Sequence, residues 1–332
     1  MSGAVAHGGR LAEARRRFPG APAPFIDLST GINPHAYALP ELPPTAFTRL
    51  PEPEEIAALE AVAARAYGVA DPSLVVAAPG TQALIQVLPR LFPLPAVAVL
   101  GPTYGEHAHA WRSAGARVIP AASLAELATA PGAVVCNPNN PDGRSWPASV
   151  LLAAAPRGLL VVDEAFADLA DDPHGGPLSL APLLPRPGVV VLRSFGKAYG
   201  LAGVRLGFAV AAPEAAAALR AALGPWAVSG PAIAAGRAAL ADAPWRARMH
   251  RRLADEAAAL DRCLAAAGLA VIGGTSLFRL AATARAAATF DRLGRAGILV
   301  RRFAEQPEWL RFGLPPTPDA WERLRAALRN PS

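Results

Sequence analysis

The composition of the chain is that of a folded protein. Of its 332 residues, 52% are hydrophobic and 17% are charged, which excludes a disordered chain and provides enough apolar surface for one large domain or two ordinary ones. The net charge is +6 at pH 7, but the arginines are scattered and the densest run, residues 15–17, is short. Such a run is typical of a solvated helix face and does not indicate a nucleic-acid-binding surface.

Cysteine usage and the first residues exclude further classes of protein. The two cysteines, Cys136 and Cys263, lie far apart in the chain, which indicates neither a disulfide framework nor a metal site. The first residues lack the apolar core of a signal peptide, and no uncharged apolar stretch reaches the length of a membrane span. We therefore expect a cytoplasmic protein that binds neither membranes nor nucleic acid and holds no metal.

Short apolar runs alternate with alanine-rich stretches over the first two thirds of the chain. The predicted strands are residues 74–78, 96–100, 133–136, 159–163 and 189–194, and helices are predicted near 82–92, 105–115 and 147–155. This βαβ order predicts an α/β domain over residues 31–212, with a mostly parallel central sheet covered by helices on both faces.

The pattern changes at about residue 213. Helices are predicted over 213–223 and 231–267, and strands over 269–272, 276–281, 298–302 and 309–313. A further helix is predicted near 284–296, and another ends the chain. This mixture predicts a smaller α+β domain over residues 213–332.

Lys197 is the only lysine among the 32 Lys and Arg residues. Arginine evidently serves wherever this chain needs a surface cation. Lysine differs from arginine because its amine can lose a proton and attack a carbonyl carbon. Covalent chemistry at Lys197 is therefore one interpretation, and a surface lysine left by chance is the other.

Polar residues follow several predicted strands, at the edge where parallel α/β sheets bind ligands. Residues 79–82 (Pro-Gly-Thr-Gln) enter a helix, where they could bind an anion or only cap the helix. Residues 137–143 could form only a tight turn. Asp163 ends an apolar strand, where a buried carboxylate is costly without a cationic partner.

Together these features are more specific than any one of them. An amine for a Schiff base, an acid that keeps a pyridine nitrogen protonated and a turn that binds phosphate are what pyridoxal phosphate requires. In these motifs, and over nearly its whole length, the chain resembles the fold-type I pyridoxal-phosphate enzymes of the aspartate aminotransferase superfamily. The resemblance implies an α/β fold with a mostly parallel central sheet, a smaller α+β domain and a homodimer.

The resemblance also implies roles for individual residues. Lys197 would form the Schiff base with the cofactor and then act as the acid/base catalyst. Asp163 would pair with the pyridinium nitrogen, and Asn140 would hydrogen-bond the phenolic oxygen. The ring would stack on Tyr104, and the cofactor phosphate would be held by Gly80, Thr81, Gln82, Ser194 and Arg205.

Two families within the superfamily are similar to this chain, histidinol-phosphate aminotransferase and L-threonine-O-3-phosphate decarboxylase of cobalamin biosynthesis. The opening AHGGR followed by FIDLSTGINP is similar to the N-terminal segment of the decarboxylases, which implies that residues 1–30 pack with the small domain and the active site. Arg311 resembles the arginine that binds the α-carboxylate. The substrate-binding residues implied by the resemblance are His7, Asn33, Asn140, Arg301 and Arg311.

Three positions depart from the aminotransferase pattern. Phe166 and Leu50 stand where those enzymes carry tyrosines, and Asp142 replaces a threonine. The tyrosine at the position of Leu50 reaches the cofactor phosphate of the neighbouring subunit. The sequence thus predicts a lyase that decarboxylates L-threonine O-3-phosphate, a small phosphorylated amino acid, with an aminotransferase as the alternative. A pyridoxal-phosphate-binding regulator is a third hypothesis, disfavoured because too few residues precede FIDLS to form a DNA-binding module.

Overall fold

The computed structural model describes residues 7–169 and 178–329. Contacts within the chain divide it into two compact units. Unit 1 takes its described residues from Met1–His35, Pro141–Gly143 and Arg248–Ser332, and unit 2 from Ala36–Asn140 and Arg144–Ala247. Within the described ranges, no helix is both long enough and apolar enough to cross a membrane.

The helices and strands predicted from the sequence occur in the predicted order, and the structure adds further helices and strands between them. The α-helices are α1 (Leu11–Arg17), α2 (Thr45–Thr48), α3 (Pro53–Tyr67), α4 (Thr81–Leu91), α5 (Gly105–Ser113), α6 (Ala148–Ala153), α7 (Phe195–Ala198), α8 (Pro213–Leu223), α9 (Gly230–Ala241), α10 (Ala243–Ala266), α11 (Ala286–Arg295) and α12 (Pro318–Arg329). The strands are β1 (Ile26–Leu28), β2 (Val75–Ala78), β3 (Ala96–Leu100), β4 (Arg117–Ala121), β5 (Gly132–Cys136), β6 (Leu159–Asp163), β7 (Val189–Ser194), β8 (Gly207–Ala211), β9 (Ala270–Thr275), β10 (Phe278–Ala282), β11 (Ile298–Arg302) and β12 (Trp309–Gly313).

Unit 2 is built on a sheet with the strand order β2-β8-β7-β6-β5-β3-β4. The strands from β4 to β7 pair in parallel, whereas β8 runs antiparallel to both β7 and β2. Strands β5, β6 and β7 are buried along their whole length, because helices connect parallel strands across the faces of the sheet. The mostly parallel sheet predicted from the sequence is confirmed.

Two strands of this sheet carry little signal in the sequence. Strand β4 lies at the sheet edge, where Pro120 is tolerated because an edge strand needs fewer backbone donors. Strand β8 has glycine or alanine at three of its five positions, with Phe208 and Val210 at the other two, and glycine and alanine are poor strand formers. Its position between β2 and β7, where every residue is buried, stabilises the strand by packing.

Unit 1 is built on a second sheet with the strand order β1-β11-β12-β10-β9. Strand β1 pairs in parallel with β11, and the other neighbours are antiparallel. The first strand of the chain is thus paired with the eleventh, so the N-terminal segment is fixed on unit 1. This long-range pairing places residues that follow β1 beside residues of β11 and β12.

The helical stretch predicted over residues 231–267 differs from the structure, which has two helices there. Helix α9 ends at Ala241, and α10 begins at Ala243. The Asp242 carboxylate accepts a hydrogen bond from the backbone N–H of Trp245 at 2.8 Å, which is the contact that an N-cap residue makes. Pro244 adds to the break, since proline cannot donate a hydrogen bond inside a helix.

Candidate active site

The carboxyl ends of the central strands of unit 2 bring together motifs that are distant in the sequence. Cys136 and Asp163 end β5 and β6 and lie opposite each other in the register. Lys197 lies in α7, which follows β7 directly. Ser194, the last residue of β7, lies opposite Gly207 of β8. Residues that the sequence places just after separate strands therefore come together within unit 2.

The Asp163 carboxylate is buried and hydrogen-bonded at both oxygens. Its Oδ2 lies 2.9 Å from His107 Nε2, and its Oδ1 accepts a hydrogen bond from the backbone N–H of Ala165 at 3.0 Å. Burial would raise the pKa of Asp163, but the hydrogen bond and charge of His107 and the charge of Lys197 hold the pKa below its ordinary value. Asp163 is therefore an anion at neutral pH, able to stabilise a protonated ring nitrogen.

His107 is a site residue that the sequence analysis missed. Its side chain is buried, and burial alone would lower its pKa, but Cys136 and Asp163 raise that pKa to about 10. His107 lies three residues after Tyr104, and this spacing puts two side chains on the same face of a helix. That spacing from a predicted site residue was the signal available in the sequence.

His107, Cys136 and Asp163 also form a set of possible metal ligands. Among the described residues, their ligand atoms lie within 4.8 Å of one another, and nitrogen, sulfur and oxygen ligands of this kind suit zinc. However, His107 Nε2 and Asp163 Oδ2 already bond each other directly. A metal ion would have to break that bond, so the geometry favours an imidazolium–carboxylate pair.

Lys197 projects over an aromatic ring in the same cluster. Its Nζ lies 4.0 Å from the centroid of the Phe166 ring, a favourable cation–π distance. Its charge contributes to the lowered pKa of Asp163. The lysine and the acid predicted for the cofactor are therefore electrostatically coupled, with Phe166 supplying an apolar surface and no hydroxyl.

The turn before α4 requires glycine at Gly80 because of its positive φ, and a neighbouring close backbone contact requires glycine at Gly207. Gly80 has a φ of +84°, and a Cβ atom there would lie 2.9 Å from Nη2 of Arg205. A Cβ atom on Gly207 would lie 2.6 Å from the backbone nitrogen of Thr81. Arg205 itself has a φ of 56°, in the left-handed region that non-glycine residues rarely adopt. The guanidinium and the first amides of α4 thus form a cradle suited to a phosphate.

Ser194 and Gln82 were both predicted to hold the cofactor phosphate. Ser194 is buried at the N-cap position of α7, and its side chain makes no capping hydrogen bond to the helix. The Gln82 amide oxygen accepts a hydrogen bond from the Tyr104 hydroxyl at 3.1 Å, and its nitrogen donates to Glu106 at 2.9 Å. The Gln82 side chain therefore orients Tyr104, and its backbone N–H is the group suited to an anion.

Tyr104 is held at the start of α5 beside His107. The two rings meet edge to face, with centroids 6.0 Å apart and an interplanar angle of 84°. Burial and the nearby carboxylates, led by Glu106, raise the pKa of Tyr104 to about 12. Tyr104 is therefore a neutral phenol at physiological pH, with an aromatic face fixed next to the Asp163 pair.

Three asparagines, Asn137, Asn139 and Asn140, lie in the loop after β5. Hydrogen bonds of the first two fix the loop. Asn137 accepts from the backbone N–H of Trp146 at 2.9 Å and donates to the backbone oxygen of Leu178 at 3.2 Å. Asn139 accepts a hydrogen bond from Thr103 Oγ1 at 2.7 Å. These bonds fix the loop, and Asn140 is the member of the three that the sequence predicts to bind a ligand. Asn137 and Asn139 therefore have structural roles, and Asn140, directly after them, is the candidate ligand-binding residue of the loop.

A buried ion cluster next to the site was also missed. Arg193 donates to Glu164 at 2.7 Å and bonds Asp168, and its guanidinium lies 4.5 Å from the centroid of the Tyr67 ring. Burial opposes the charge of Arg193, but Asp168 and Glu164 raise its pKa above the ordinary value. Glu164 follows Asp163, and Arg193 precedes Ser194, so the cluster fixes the ends of β6 and β7.

Unit 1 contains a pair of neighbouring arginines. Arg301 and Arg311 lie opposite each other in the antiparallel pair of β11 and β12, so their side chains lie on the same face of the sheet. Arg311 is 6% exposed and donates to the backbone oxygen of Ser29 at 2.9 Å. Burial and the charge of Arg301 lower the pKa of Arg311 to about 9, against the opposing effect of Asp27. Two cations held this close suit a ligand with two anionic groups.

The N-terminal segment reaches the same part of unit 1. His7 and Arg301 line a cavity of about 320 Å³ there. Asn33 is buried, and its Oδ1 accepts a hydrogen bond from the backbone N–H of His35 at 2.9 Å, so it fixes its own turn. Unit 1 thus holds four of the predicted substrate-binding residues, and unit 2 holds Asn140 with the predicted cofactor-binding residues.

Comparison with known proteins identifies the family of this chain. The family model for aminotransferase class I and II matches residues 25–328. The chain belongs to this family. Its relatives include the threonine-phosphate decarboxylase of Pseudomonas aeruginosa, 45% identical over 97% of this chain and 96% of that protein. The histidinol-phosphate aminotransferase of Symbiobacterium thermophilum is 37% identical, over 59% of this chain and 54% of that protein.

A solved structure of the family confirms the predicted fold class. The histidinol-phosphate aminotransferase of Sinorhizobium meliloti, in complex with pyridoxal-5'-phosphate, has a TM-score of 0.78 and 25% identity. The match covers 99% of this chain and 98% of that one. The chain therefore has the fold of these aminotransferase-like enzymes, and the similarity to the decarboxylase extends further along the chain than the similarity to the S. thermophilum aminotransferase.

Proposed function

We propose that this chain is a pyridoxal-phosphate-dependent lyase that converts L-threonine O-3-phosphate to (R)-1-amino-2-propanol O-2-phosphate and carbon dioxide, a step of cobalamin biosynthesis. The observation that carries the proposal is the 45% identity to a threonine-phosphate decarboxylase over 97% of the chain. The charges in unit 1 support it, because threonine phosphate carries a phosphate and a carboxylate for the neighbouring Arg301 and Arg311.

The described residues of unit 2 fit the cofactor. The cradle formed by Arg205 and the turn at Gly80 suits the cofactor phosphate, and Asp163 suits the pyridinium nitrogen. Lys197 supplies the amine, Tyr104 an aromatic face and Asn140 a hydrogen bond to the phenolic oxygen. When bound, pyridoxal phosphate supplies an electron-withdrawing ring that accepts the electron pair left on the substrate's α-carbon.

Decarboxylation requires that the bond from the α-carbon to the carboxylate breaks instead of the bond to hydrogen. The enzyme would select between these bonds by the orientation in which its side chains hold the substrate. Arg311 is proposed to bind the carboxylate, and Arg301, His7 and Asn33 to bind the phosphate end. The carboxylate would leave as carbon dioxide, and the Lys197 ammonium would then deliver a proton to the α-carbon, where the electron pair of the broken bond forms the new bond to hydrogen.

The function is tested by a choice of substrates. The purified protein with pyridoxal phosphate is offered threonine phosphate without any oxo-acid, and separately histidinol phosphate with 2-oxoglutarate. We expect carbon dioxide in the first reaction and no glutamate in the second. Glutamate formation without carbon dioxide release would replace the proposal with an aminotransferase, and cofactor binding without either product would favour a regulator.

We also propose that the protein works as a homodimer. Several large apolar side chains of unit 2 are exposed, among them Phe47 at 67%, Leu50 at 63% and Trp226 at 57%. The α2 helix that carries Phe47 packs on α9, where a Cβ atom on Gly230 would lie 2.3 Å from the backbone oxygen of Ala46. Phe47 and Leu50 are close in sequence, and exposed apolar side chains that lie close together are typical of a protein–protein interface.

The oligomeric state is checked by light scattering on the pyridoxal-phosphate-loaded protein. We expect the wild type to have the mass of a dimer, and Phe47→Glu combined with Leu50→Glu to have the mass of a monomer. Val150→Glu changes another exposed apolar residue, on α6, and should leave the dimer intact. A monomeric wild type would contradict the homodimer.

A further inference from the structure

The cavity of unit 1 has a cationic wall that extends beyond the predicted substrate residues. Besides His7 and Arg301, its lining includes Arg10, Glu13 and Ser29. Arg10 has no role in the site assigned above. Arg10 is the last residue of the HGGR segment (residues 7–10) and directly precedes α1. Its side chain is 53% exposed.

Backbone contacts fix the HGGR segment on the end of β1. The backbone N–H of Gly9 donates to Ser29 Oγ at 2.7 Å, and that hydroxyl donates to Asp27 Oδ1 at 2.6 Å. A Cβ atom on Gly8 would lie 2.4 Å from the backbone oxygen of Ser29, so only glycine allows this approach. Arg10 therefore stands at a defined place on the cavity wall, although its side chain is exposed.

The charges along this wall favour an anion. Burial, and then the positive charge of Arg10, lower the pKa of Arg301, so the two guanidinium groups are close enough to repel each other. Glu13 is the acidic residue among the described residues that line the cavity, and its carboxylate accepts a hydrogen bond from Arg10 at 3.4 Å. An exposed contact of this length is weak. A phosphate dianion placed between the two arginines would relieve their repulsion at little cost to the contact with Glu13.

We propose that Arg10 determines substrate specificity by binding, together with Arg301, the phosphate group of the substrate. The inference rests on the proposed function for the identity of the substrate and adds a residue to it. Arg10 selects phosphorylated amino acids over unphosphorylated ones, because a bare hydroxyl offers no charge to either guanidinium. Without phosphate, Arg10 makes only the weak contact with Glu13, and this contact breaks when a phosphate enters.

The test compares Arg10→Ala with Arg16→Ala, which removes an exposed arginine of α1 that does not belong to the cavity lining. With threonine phosphate, we expect Arg10→Ala to raise KM about 10- to 50-fold and to change kcat less than about 3-fold, as for loss of a charge-assisted contact to the ground state and transition state alike. Arg10→Lys should lie between Arg10→Ala and the wild type. Arg16→Ala should behave as the wild type.

A second substrate separates phosphate binding from a purely structural role. Turnover of unphosphorylated L-threonine by the same holoenzymes should be equal in the wild type and Arg10→Ala, since no phosphate contact is lost. An equal fall of activity on both substrates would overturn the inference. Glu13→Gln, which weakens the competing contact of Arg10, should lower KM for threonine phosphate, and an increase would also contradict the proposal.

Binding of inorganic phosphate to the holoenzyme tests the role of Arg10 without relying on turnover. We expect the dissociation constant to rise about 10-fold in Arg10→Ala and to stay unchanged in Arg16→Ala, a difference that calorimetry resolves. If the wild type decarboxylates threonine phosphate while Arg10→Ala keeps its KM and its phosphate affinity, the inference fails and the proposed function stands. If the wild type does not decarboxylate threonine phosphate but Arg10→Ala loses phosphate affinity, the proposed function fails and the phosphate site at Arg10 stands.

Discussion

The two units place buried charges in opposite electrostatic settings. In unit 2, Asp163 lies against His107, and Arg193 lies against Glu164 and Asp168, so each charge is stabilised by an opposite one. In unit 1, the pKa of Arg311 is lowered to about 9 by burial and by a second arginine. These buried charges of unit 2 are therefore paired with one another, whereas the buried Arg311 of unit 1 gains from an anionic ligand.

This difference between the units corresponds to two tasks, holding a cofactor and binding a substrate. A cofactor that stays bound through many turnovers is best served by a site whose charges are already arranged, because preorganised groups cost no rearrangement during the reaction. A substrate that enters and leaves can supply missing negative charge itself and is bound more tightly for that reason. The comparison predicts that substitutions in the two units differ in their effects on stability as well as on activity.

The largest effect is expected at Lys197 of unit 2. Lys197→Arg keeps a positive charge but removes the amine that attacks a carbonyl and returns a proton, so carbon dioxide release should fall about 10³-fold or more. Borohydride reduction of the wild type with pyridoxal phosphate, followed by peptide mapping, should label Lys197. A label at another residue, or a variant within about 10-fold of the wild type, would contradict the assignment.

Two smaller effects of opposite sign are expected at Arg311 of unit 1, a loss of activity and a gain of thermal stability. Arg311→Met should lower kcat/KM for threonine phosphate about 100-fold, as for loss of a buried charged contact. It should also raise the melting temperature of the ligand-free protein, because the fold lowers the pKa of this guanidinium and thus disfavours its charged form.

Arg279→Met is the matched control for Arg311→Met. Arg279 lies on the same sheet but donates to Asp261 at 2.6 Å, so removing it should lower the melting temperature. Melting curves of both variants without ligand decide the point. If the melting temperature falls in both variants, the expected difference between the ion-paired Arg279 and the repelled Arg311 is contradicted.

The smallest effect is on the pH dependence of stability in unit 2. The pKa of His107 is about 10 in the folded protein and ordinarily 6.5, so its contribution is full below pH 6.5 and is lost as the pH rises through 10. The free energy of unfolding of the wild type should therefore fall more between pH 7 and pH 10 than that of His107→Asn. Urea unfolding at three pH values measures this, with His109→Asn on the same helix as the control. Parallel curves for the wild type and His107→Asn would contradict the pair with Asp163.

The sequence predicted the elements of the fold well and the supporting contacts of the site poorly. Apolar runs that end in polar residues marked β5, β6 and β7 and pointed to Asp163 and Lys197, because buried parallel strands have a distinctive composition. His107 and Arg193 escaped notice because their importance depends on partners 56 and 29 residues away. Arg10 was missed for a similar reason, since its relation to Arg301 arises only when β1 pairs with β11.

The most direct test of the account is the reaction with threonine phosphate in deuterium oxide, followed by nuclear magnetic resonance. We predict stoichiometric carbon dioxide and a 1-amino-2-propanol O-2-phosphate that carries a single deuterium on the former α-carbon, delivered by Lys197. Exchange of the α-hydrogen of unreacted threonine phosphate without carbon dioxide release would show that the bond to hydrogen is the one oriented for cleavage. That result would contradict the decarboxylase.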